Sequence, residues 1–181
     1  EVRAAEGSEV DKRRVFIAVG TPPRKSDGEA VLSFVHQCAS DIAAALRPGA
    51  LVVTKSTVPV GTGDVIERIL RQARQDDAIP VVSNPEFLRE GTAVYDYRNP
   101  PKTVIGETDT RSGDVLASVY AGLKAPLIRT DVDTAEMVKY ADNVWHALKV
   151  CFANEIGNVC KALAIDSHRV MDIFCQDTKL N

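Results

Sequence analysis

The fold is decided by a continuous apolar run that ends in glycine, VFIAVG at residues 15–20. Runs of this kind are typical of parallel strands that are covered on both faces of a sheet. A helical pattern follows at 29–46, and the alternation continues with a strand at 51–54, a helix at 61–73 and a strand at 79–82. This order predicts an α/β fold, a partial Rossmann-like parallel sheet with flanking helices that binds ligands at the carboxyl ends of its strands.

Beyond the third strand the pattern predicts two more strands and then only helices. The strands are expected at residues 103–105 and 127–129. A long helix without proline is expected from about 134 to 163, and a short one at 167–175. Residues 144–153 of the long helix are apolar on almost every side, which favours burial in a core or at a subunit interface.

The composition excludes several classes of protein. The 181 residues are 45% hydrophobic and 26% charged with a net charge of -3, and no basic run indicates nucleic-acid binding. No apolar run is long enough to cross a bilayer, so we predict a cytoplasmic protein that binds no membrane. Four cysteines without CxxC spacing, beside three histidines, favour reduced core thiols over a metal site or disulfides. The four thiols are Cys38, Cys151, Cys160 and Cys175.

A dinucleotide-binding fingerprint, G-x-G-x-x-G, is absent from the sequence. A Rossmann-like fold that begins near residue 15 lacks its first phosphate-binding turn. We therefore expect the chain to be a fragment of a larger protein.

Polar loops follow each of the first three predicted strands. Thr21 follows the first strand, and Ser56 and Thr57 follow the second, where hydroxyls serve either ordinary turns or a ligand. After the third strand, Glu86 and Glu90 lie four residues apart. They could be surface charges around a helix-capping turn, or one could act as a base in a ligand-holding loop.

One polar stripe crosses the long apolar helix. Lys139, Asn143 and His146 share a face at helical spacing, and Asn154 lies near the same stripe. The stripe could be a solvated face of a half-exposed helix. Alternatively, the lysine ammonium and the asparagine amide could stabilise an oxyanion.

In order along the chain, these segments resemble the UDP-glucose/GDP-mannose dehydrogenase family. The resemblance is carried by VGTP at 19–22, STVPVGT at 56–62, NPEFLREG at 84–91, EMVKYADN at 136–143 and FANEIGN at 152–158. It implies a four-electron oxidation of a nucleotide-sugar C6 alcohol to the carboxylate, with NAD as the cofactor and a cysteine as the nucleophile. The Gly-rich segment that bears this cysteine is not present, so the isolated chain is expected to be inactive.

The resemblance also implies roles for individual residues. Lys139 and Asn143 would stabilise the alkoxide and the oxyanion, and Glu90 would act as the base. Thr57 would help to place water and NAD. The cofactor-binding residues would be Thr21, Ser56, Thr57 and Glu90. The substrate-binding residues would be Glu86, Phe87, Leu88, Arg89, Glu90, Lys139, Asn143, His146 and Asn154.

The resemblance further implies a division of the chain, with residues 1–130 in the NAD-binding domain. Residues 131–181 would form the long connecting helix and the start of an all-α central domain that makes a homodimer. Within the family, residues 100–106 and 143–147 look more like the members that oxidise GDP-mannose than those that oxidise UDP-glucose. A hydroxyacid dehydrogenase relative and a noncatalytic dimerisation module are the competing hypotheses.

Overall fold

The computed structural model describes residues 14–74 and 79–179, which form two compact units with a boundary between Tyr140 and Ala141. The strands are β1 (Arg14–Ile17), β2 (Leu51–Thr54), β3 (Val81–Ser83), β4 (Thr103–Gly106) and β5 (Leu127–Thr130). The helices are α1 (Ser33–Ala43), α2 (Thr62–Arg74), α3 (Ala93–Arg98), α4 (Thr110–Ala117), α5 (Val132–Ala162) and α6 (Ser167–Phe174), with a 3₁₀ turn at Ser118–Tyr120. Helix α5 begins in the first unit and ends in the second.

The five strands form one sheet in the order β1-β2-β3-β4-β5. β1 and β2, β2 and β3, and β4 and β5 pair in parallel, but β3 and β4 pair antiparallel through Ser83 and Gly106. The sheet is therefore mixed, and the prediction of a wholly parallel sheet was wrong at this pair. The only helix between β3 and β4 is the six-residue α3, about 9 Å long. This helix is too short to return the chain along the sheet for a parallel crossover.

Both faces of the sheet are covered by helices. Val52 belongs to a cluster with residues of α1 and α2, whereas its neighbour Val53 packs with Leu116 of α4 and with Tyr120. Alternate side chains of a strand point to opposite faces, so the two clusters lie on the two sides. β1 is less covered than expected, with Phe16 at 40% exposure, because it pairs with β2 alone among the described strands.

The predicted element types were correct, but several bounds differ. α1 begins at residue 33 instead of 29, because the preceding chain turns back on itself through a bridge between Pro23 and Ala30. The sequence pattern missed α3 altogether. α5 begins two residues early, where the Asp131 side chain accepts a hydrogen bond from the Thr134 amide at 2.8 Å.

The second unit contains the later turns of α5 and all of α6. Phe152 and Phe174 bring these helices together with their ring centroids 5.6 Å apart. The single chain does not bury residues 144–153 in its own core, because Trp145 is 54% exposed and Leu148 56% exposed, and their burial at a subunit interface stays a prediction. Only α6 accompanies α5 in this unit, so most of the apolar circumference is left uncovered.

The prediction that all four cysteines are core thiols was only partly right. Cys160 is buried and Cys38 half-buried, but Cys151 and Cys175 are exposed. The exposed pair lies on α5 and just after α6, in the unit that lacks cover. Across residues 14–74 and 79–179, no helix is long and apolar enough to span a membrane.

Candidate functional site

The loops after β1 and β2 are tied together by their hydroxyl groups. Ser56 Oγ accepts a hydrogen bond from the Val19 amide at 2.9 Å and donates one to the Val19 carbonyl at 2.7 Å. Thr21 Oγ1 donates to the Thr57 carbonyl at 2.8 Å. The structure thus brings Thr21, Ser56 and Thr57 together at the carboxyl ends of two neighbouring parallel strands.

A buried ion pair joins α5 to the loop after β3. Lys139 Nζ lies 2.9 Å from Glu86 Oε1, and the lysine side chain is only 7% exposed. The second oxygen of Glu86 accepts a hydrogen bond from the Leu88 amide at 2.6 Å. Lys139 Nζ also lies 5.6 Å from the centre of the Phe87 ring. Two segments that the sequence singled out separately therefore meet at one point.

The two glutamates of this loop lie in different surroundings. Glu86 is half-buried against Lys139, whereas Glu90 is exposed and forms no hydrogen bond or ion pair with any described residue. Desolvation and a fixed partner are what distinguish a catalytic carboxylate from a surface charge. Glu86 is thus the carboxylate that this structure holds in a defined geometry.

A second ion pair, between Arg89 and Asp96, holds the later part of the loop after β3. Arg89 contacts the Asp96 carboxylate with its guanidinium at 2.6 and 3.2 Å and with its backbone amide at 3.0 Å. Asp96 is 2% exposed and also accepts a hydrogen bond from Thr92. The hydrogen bond from Arg89 is the main reason why the pKa of Asp96 falls to about 2, with Thr92 adding to it. The carboxylate is therefore charged at neutral pH and holds the loop through its backbone.

Glu136 of α5 caps the start of α2. Its two carboxylate oxygens accept hydrogen bonds from the amides of Gly61 at 2.7 Å and Gly63 at 2.9 Å. Burial raises the pKa of Glu136 to about 7, although the amide hydrogen bonds act in the opposite direction. Glu136 thereby links the loop that carries Thr57 to the helix turn that carries Lys139. Sequence reasoning missed this role, because the partners are more than 70 residues apart.

A third polar group next to the site is centred on Asn84. Its side-chain oxygen accepts hydrogen bonds from Lys55 Nζ at 3.0 Å and from the Tyr120 hydroxyl, and its amide donates to the Val104 carbonyl at 2.7 Å. Burial raises the pKa of Tyr120 to about 12. Asn84 is fully buried and lies two residues before Glu86. Neither Lys55 nor Tyr120 was predicted as a site residue.

The end of β4 lies directly under the first turn of α5. A side chain at Gly106 would place its Cβ 2.6 Å from Ala135 Cβ and 2.8 Å from Val132 Cα. Only a glycine allows the helix to approach this closely, since such distances are far inside van der Waals contact. This close approach of α5 to Gly106 fixes where the helix lies against the sheet, and Lys139 contacts Glu86 from that helix.

The remaining predicted substrate residues lie in the second unit. Asn143, His146 and Asn154 are all exposed there. Their roles stay predictions.

Residues 4–124 match the NAD binding domain of the UDP-glucose/GDP-mannose dehydrogenase family, and residues 133–181 match the central domain of that family. Together the two matches account for most of the chain. The chain therefore belongs to the UDP-glucose/GDP-mannose dehydrogenase family.

Individual relatives include enzymes for both sugar nucleotides. GDP-mannose 6-dehydrogenase of Pseudomonas savastanoi pv. phaseolicola is 49% identical over 173 residues, which are 92% of this chain and 39% of that protein. UDP-glucose 6-dehydrogenase of Rhizobium meliloti (strain 1021) is 50% identical over 152 residues, 81% of this chain and 35% of that protein. A ternary complex of GDP-mannose dehydrogenase from Pseudomonas aeruginosa has a TM-score of 0.86 at 46% identity, covering 92% of this chain and 39% of that one. The chain thus spans 39% of the length of the GDP-mannose enzymes that it matches.

The strand ends of the first unit fit a role in holding NAD. Thr21 and Thr57 are half-buried, and Gly20 is exposed with nothing within 4 Å of an added Cβ, so a ligand can approach the backbone there. The first amides of α2 are engaged by Glu136, so they do not bind a phosphate in this arrangement. NAD, when bound, supplies the hydride acceptor.

Proposed function

We propose that the chain is part of an NAD-dependent dehydrogenase that oxidises the C6 alcohol of GDP-mannose to the carboxylate. The observation that carries this proposal is the buried ion pair between Lys139 and Glu86 at the strand ends of a chain of this family. GDP-mannose is favoured because relatives named for it are 47% to 49% identical over 92% of the chain, against 42% for the Bacillus subtilis UDP-glucose enzyme at the same coverage, although the Rhizobium UDP-glucose enzyme is 50% identical over 81%. The resemblance of residues 100–106 and 143–147 supports the same choice.

Lys139 is the electrophilic group of this proposal. Its ammonium is held by Glu86 and shielded from water, where a fixed positive charge stabilises an alkoxide or oxyanion far more than in bulk solvent. Asn143 follows Lys139 by four residues on the same helix and is proposed to add an amide donor.

Glu86 is proposed as the base that accepts a proton from the water molecule that attacks the cysteine-bound intermediate and releases the carboxylate product. It has the fixed geometry that a general base requires, with Lys139 on one oxygen and the Leu88 amide on the other. Glu90, which the family resemblance first suggested as the base, is proposed to contact the cofactor from its exposed position. Thr57 is proposed to help to place this water and NAD.

The remaining predicted residues complete the binding surfaces. Thr21 and Ser56 are proposed to contact NAD, and the backbone of the loop held by Asp96 is proposed to bind the sugar nucleotide. His146 and Asn154 are proposed as further substrate contacts.

We propose that the first domain ends near residue 130 and that residues 131–181 begin a central dimerisation domain. The exposed apolar side chains of α5 support a homodimer, because an apolar helix face of this kind is usually covered in the assembled protein. None of the four cysteines lies in a Gly-rich segment of the family's nucleophile type, so the isolated chain is proposed to be inactive.

The test is NADH production by the full-length protein with GDP-mannose and, separately, with UDP-glucose. We expect two NADH per GDP-mannose, and we expect Lys139→Ala to lower kcat by about 10²- to 10³-fold, as for loss of one oxyanion donor. Lys124→Ala is the matched control, since this lysine is exposed in the same unit as Lys139. It should turn over like the wild type.

Three other outcomes of this experiment would change or refute the proposal. Turnover with UDP-glucose alone moves the assignment to the sister enzyme of the same family. Absence of turnover with either substrate refutes the proposal and favours a noncatalytic dimerisation module. Equal losses in Lys139→Ala and Lys124→Ala contradict the role given to the ion pair between Lys139 and Glu86.

A further inference from the structure

A half-buried lysine that the proposed reaction does not use, Lys55, lies directly after β2. Its ammonium donates hydrogen bonds to Asn84 Oδ1 at 3.0 Å and to the Tyr120 hydroxyl oxygen at 3.3 Å. Tyr120 donates to the same Asn84 oxygen, so the three polar groups form a closed triangle. The triangle connects the ends of β2 and β3 with the 3₁₀ turn after α4.

The hydrogen bonds of this triangle hold the backbone where the chain continues from β3 into the loop that contains Glu86. Asn84 is fixed at both ends of its amide, by Lys55 on the oxygen and by the Val104 carbonyl on the nitrogen. Between Asn84 and Glu86 lies only Pro85, which restricts the backbone on both sides of it. A displacement of the Asn84 side chain therefore moves the Glu86 carboxylate relative to Lys139.

Lys55 also acts on the site through its charge. Burial is the main reason why the pKa of Lys55 falls to about 8, while the Glu86 carboxylate opposes this and Lys139 adds to it. Lys55 lines a cavity of about 40 Å³ whose other titratable groups are Glu86, Asp96, Tyr97, Lys102 and Tyr120.

We propose that Lys55 is a positioning residue for the oxidation, which holds Glu86 in register with Lys139 through Asn84. This inference rests on the proposed function, because it assigns Lys55 a role at the same site. A lysine that only satisfied Asn84 structurally would affect folding but would not lower kcat in the folded enzyme.

The test compares variants of the full-length enzyme. Lys55→Met removes the charge and the donor while it retains most of the side-chain volume. We expect kcat with the nucleotide sugar to fall by about 10- to 100-fold, because misplaced catalytic groups lose rate steeply. The KM for NAD should stay close to that of the wild type.

Two further variants separate the charge from the hydrogen bonds. Lys55→Arg retains the positive charge and a donor to Asn84, so it should recover part of the kcat that Lys55→Met loses. Tyr120→Phe removes one donor to Asn84 and leaves the Lys55 ammonium, so kcat should fall by less than in Lys55→Met. Lys124→Met is the matched control, since this lysine is exposed.

The controls separate this inference from the proposed function. Wild-type turnover together with a Lys55→Met variant that matches Lys124→Met in kcat overturns the inference and leaves the proposed function standing. Absence of turnover in the wild type overturns both. If Lys55→Met does not fold, Lys55→Arg and Tyr120→Phe decide, and a Tyr120→Phe kcat equal to that of Lys124→Met overturns the inference.

Discussion

Replacing Gly106 by alanine should both destabilise the protein and slow its turnover. The added Cβ would lie 2.6 Å from Ala135 Cβ, 2.8 Å from Val132 Cα and 2.9 Å from the Asp131 carbonyl oxygen. Carbon atoms in contact are normally about 3.5 Å apart or more, so the first turn of α5 must retreat by roughly 1 Å. Two of the three atoms belong to the backbone, so no side-chain rotation relieves the overlap.

The displacement of α5 should lower both the free energy of unfolding and kcat. Overpacking of this kind costs about 1 to 3 kcal/mol in the free energy of unfolding. Lys139 lies one helical turn after Ala135, so its ammonium moves with the helix away from Glu86, from which it is now 2.9 Å. A displacement of about 1 Å at a catalytic group can lower kcat by about 100-fold.

Urea denaturation and NADH production of the full-length enzyme measure the two effects separately. Gly122→Ala is the matched control, because a Cβ at that glycine meets no atom within 4 Å. The reasoning would be refuted by a Gly106→Ala enzyme that matches Gly122→Ala in both unfolding free energy and kcat. Loss of stability with unchanged kcat would show that α5 does not carry the displacement to Lys139.

The remaining predictions concern two buried carboxylates. Asp96→Asn should raise the KM for the nucleotide sugar about five- to tenfold in steady-state assays, as for loss of one charge-assisted hydrogen bond to Arg89; an unchanged KM would show that the loop stays in place without the ion pair. Because the pKa of Asp96 is about 2 in the folded state against 3.8 ordinarily, its stabilising effect is present above 3.8 and lost as the pH falls through 2. For Glu136 the sign is opposite, since the folded pKa is about 7 against 4.5, so its contribution to stability falls as the pH rises from 4.5 to 7. The unfolding free energy of the wild type should therefore exceed that of Glu136→Gln by more at about pH 5 than at about pH 8 in urea titrations; a difference that does not vary with pH would contradict the raised pKa.

Hydrophobic periodicity predicted most of the fold. Residues 51–54 and 61–73 were assigned correctly because a buried strand and an amphipathic helix have different apolar periods, which local sequence records. The antiparallel β4 could not be predicted this way, because strand direction depends on how the 84–102 connection packs. An apolar helix pattern does not state what covers the helix: Trp145 is exposed within one chain, and its burial at a subunit interface stays a prediction.

The candidate site was predicted in its parts but not in its contacts. The loop that contains Glu86 and the helix that contains Lys139 were both singled out, and the structure joins them at 2.9 Å. Residue spacing did not distinguish the surroundings of Glu86 and Glu90, of which the structure shows the first half-buried and the second exposed. Lys55 and Tyr120 are 65 residues apart in the chain, so only the folded structure shows that they share a hydrogen bond.

The sheet has a consequence for how this part of the chain folds. Its spatial order β1-β2-β3-β4-β5 is also the order of synthesis, so every strand pairs with the one made immediately before it. Paired residues of neighbouring strands lie 23 to 37 positions apart in the chain, which limits the loop-closure entropy of each addition. The sheet can therefore grow one strand at a time during synthesis, and the contact of Lys139 with Glu86 can form only after the fifth strand has been made.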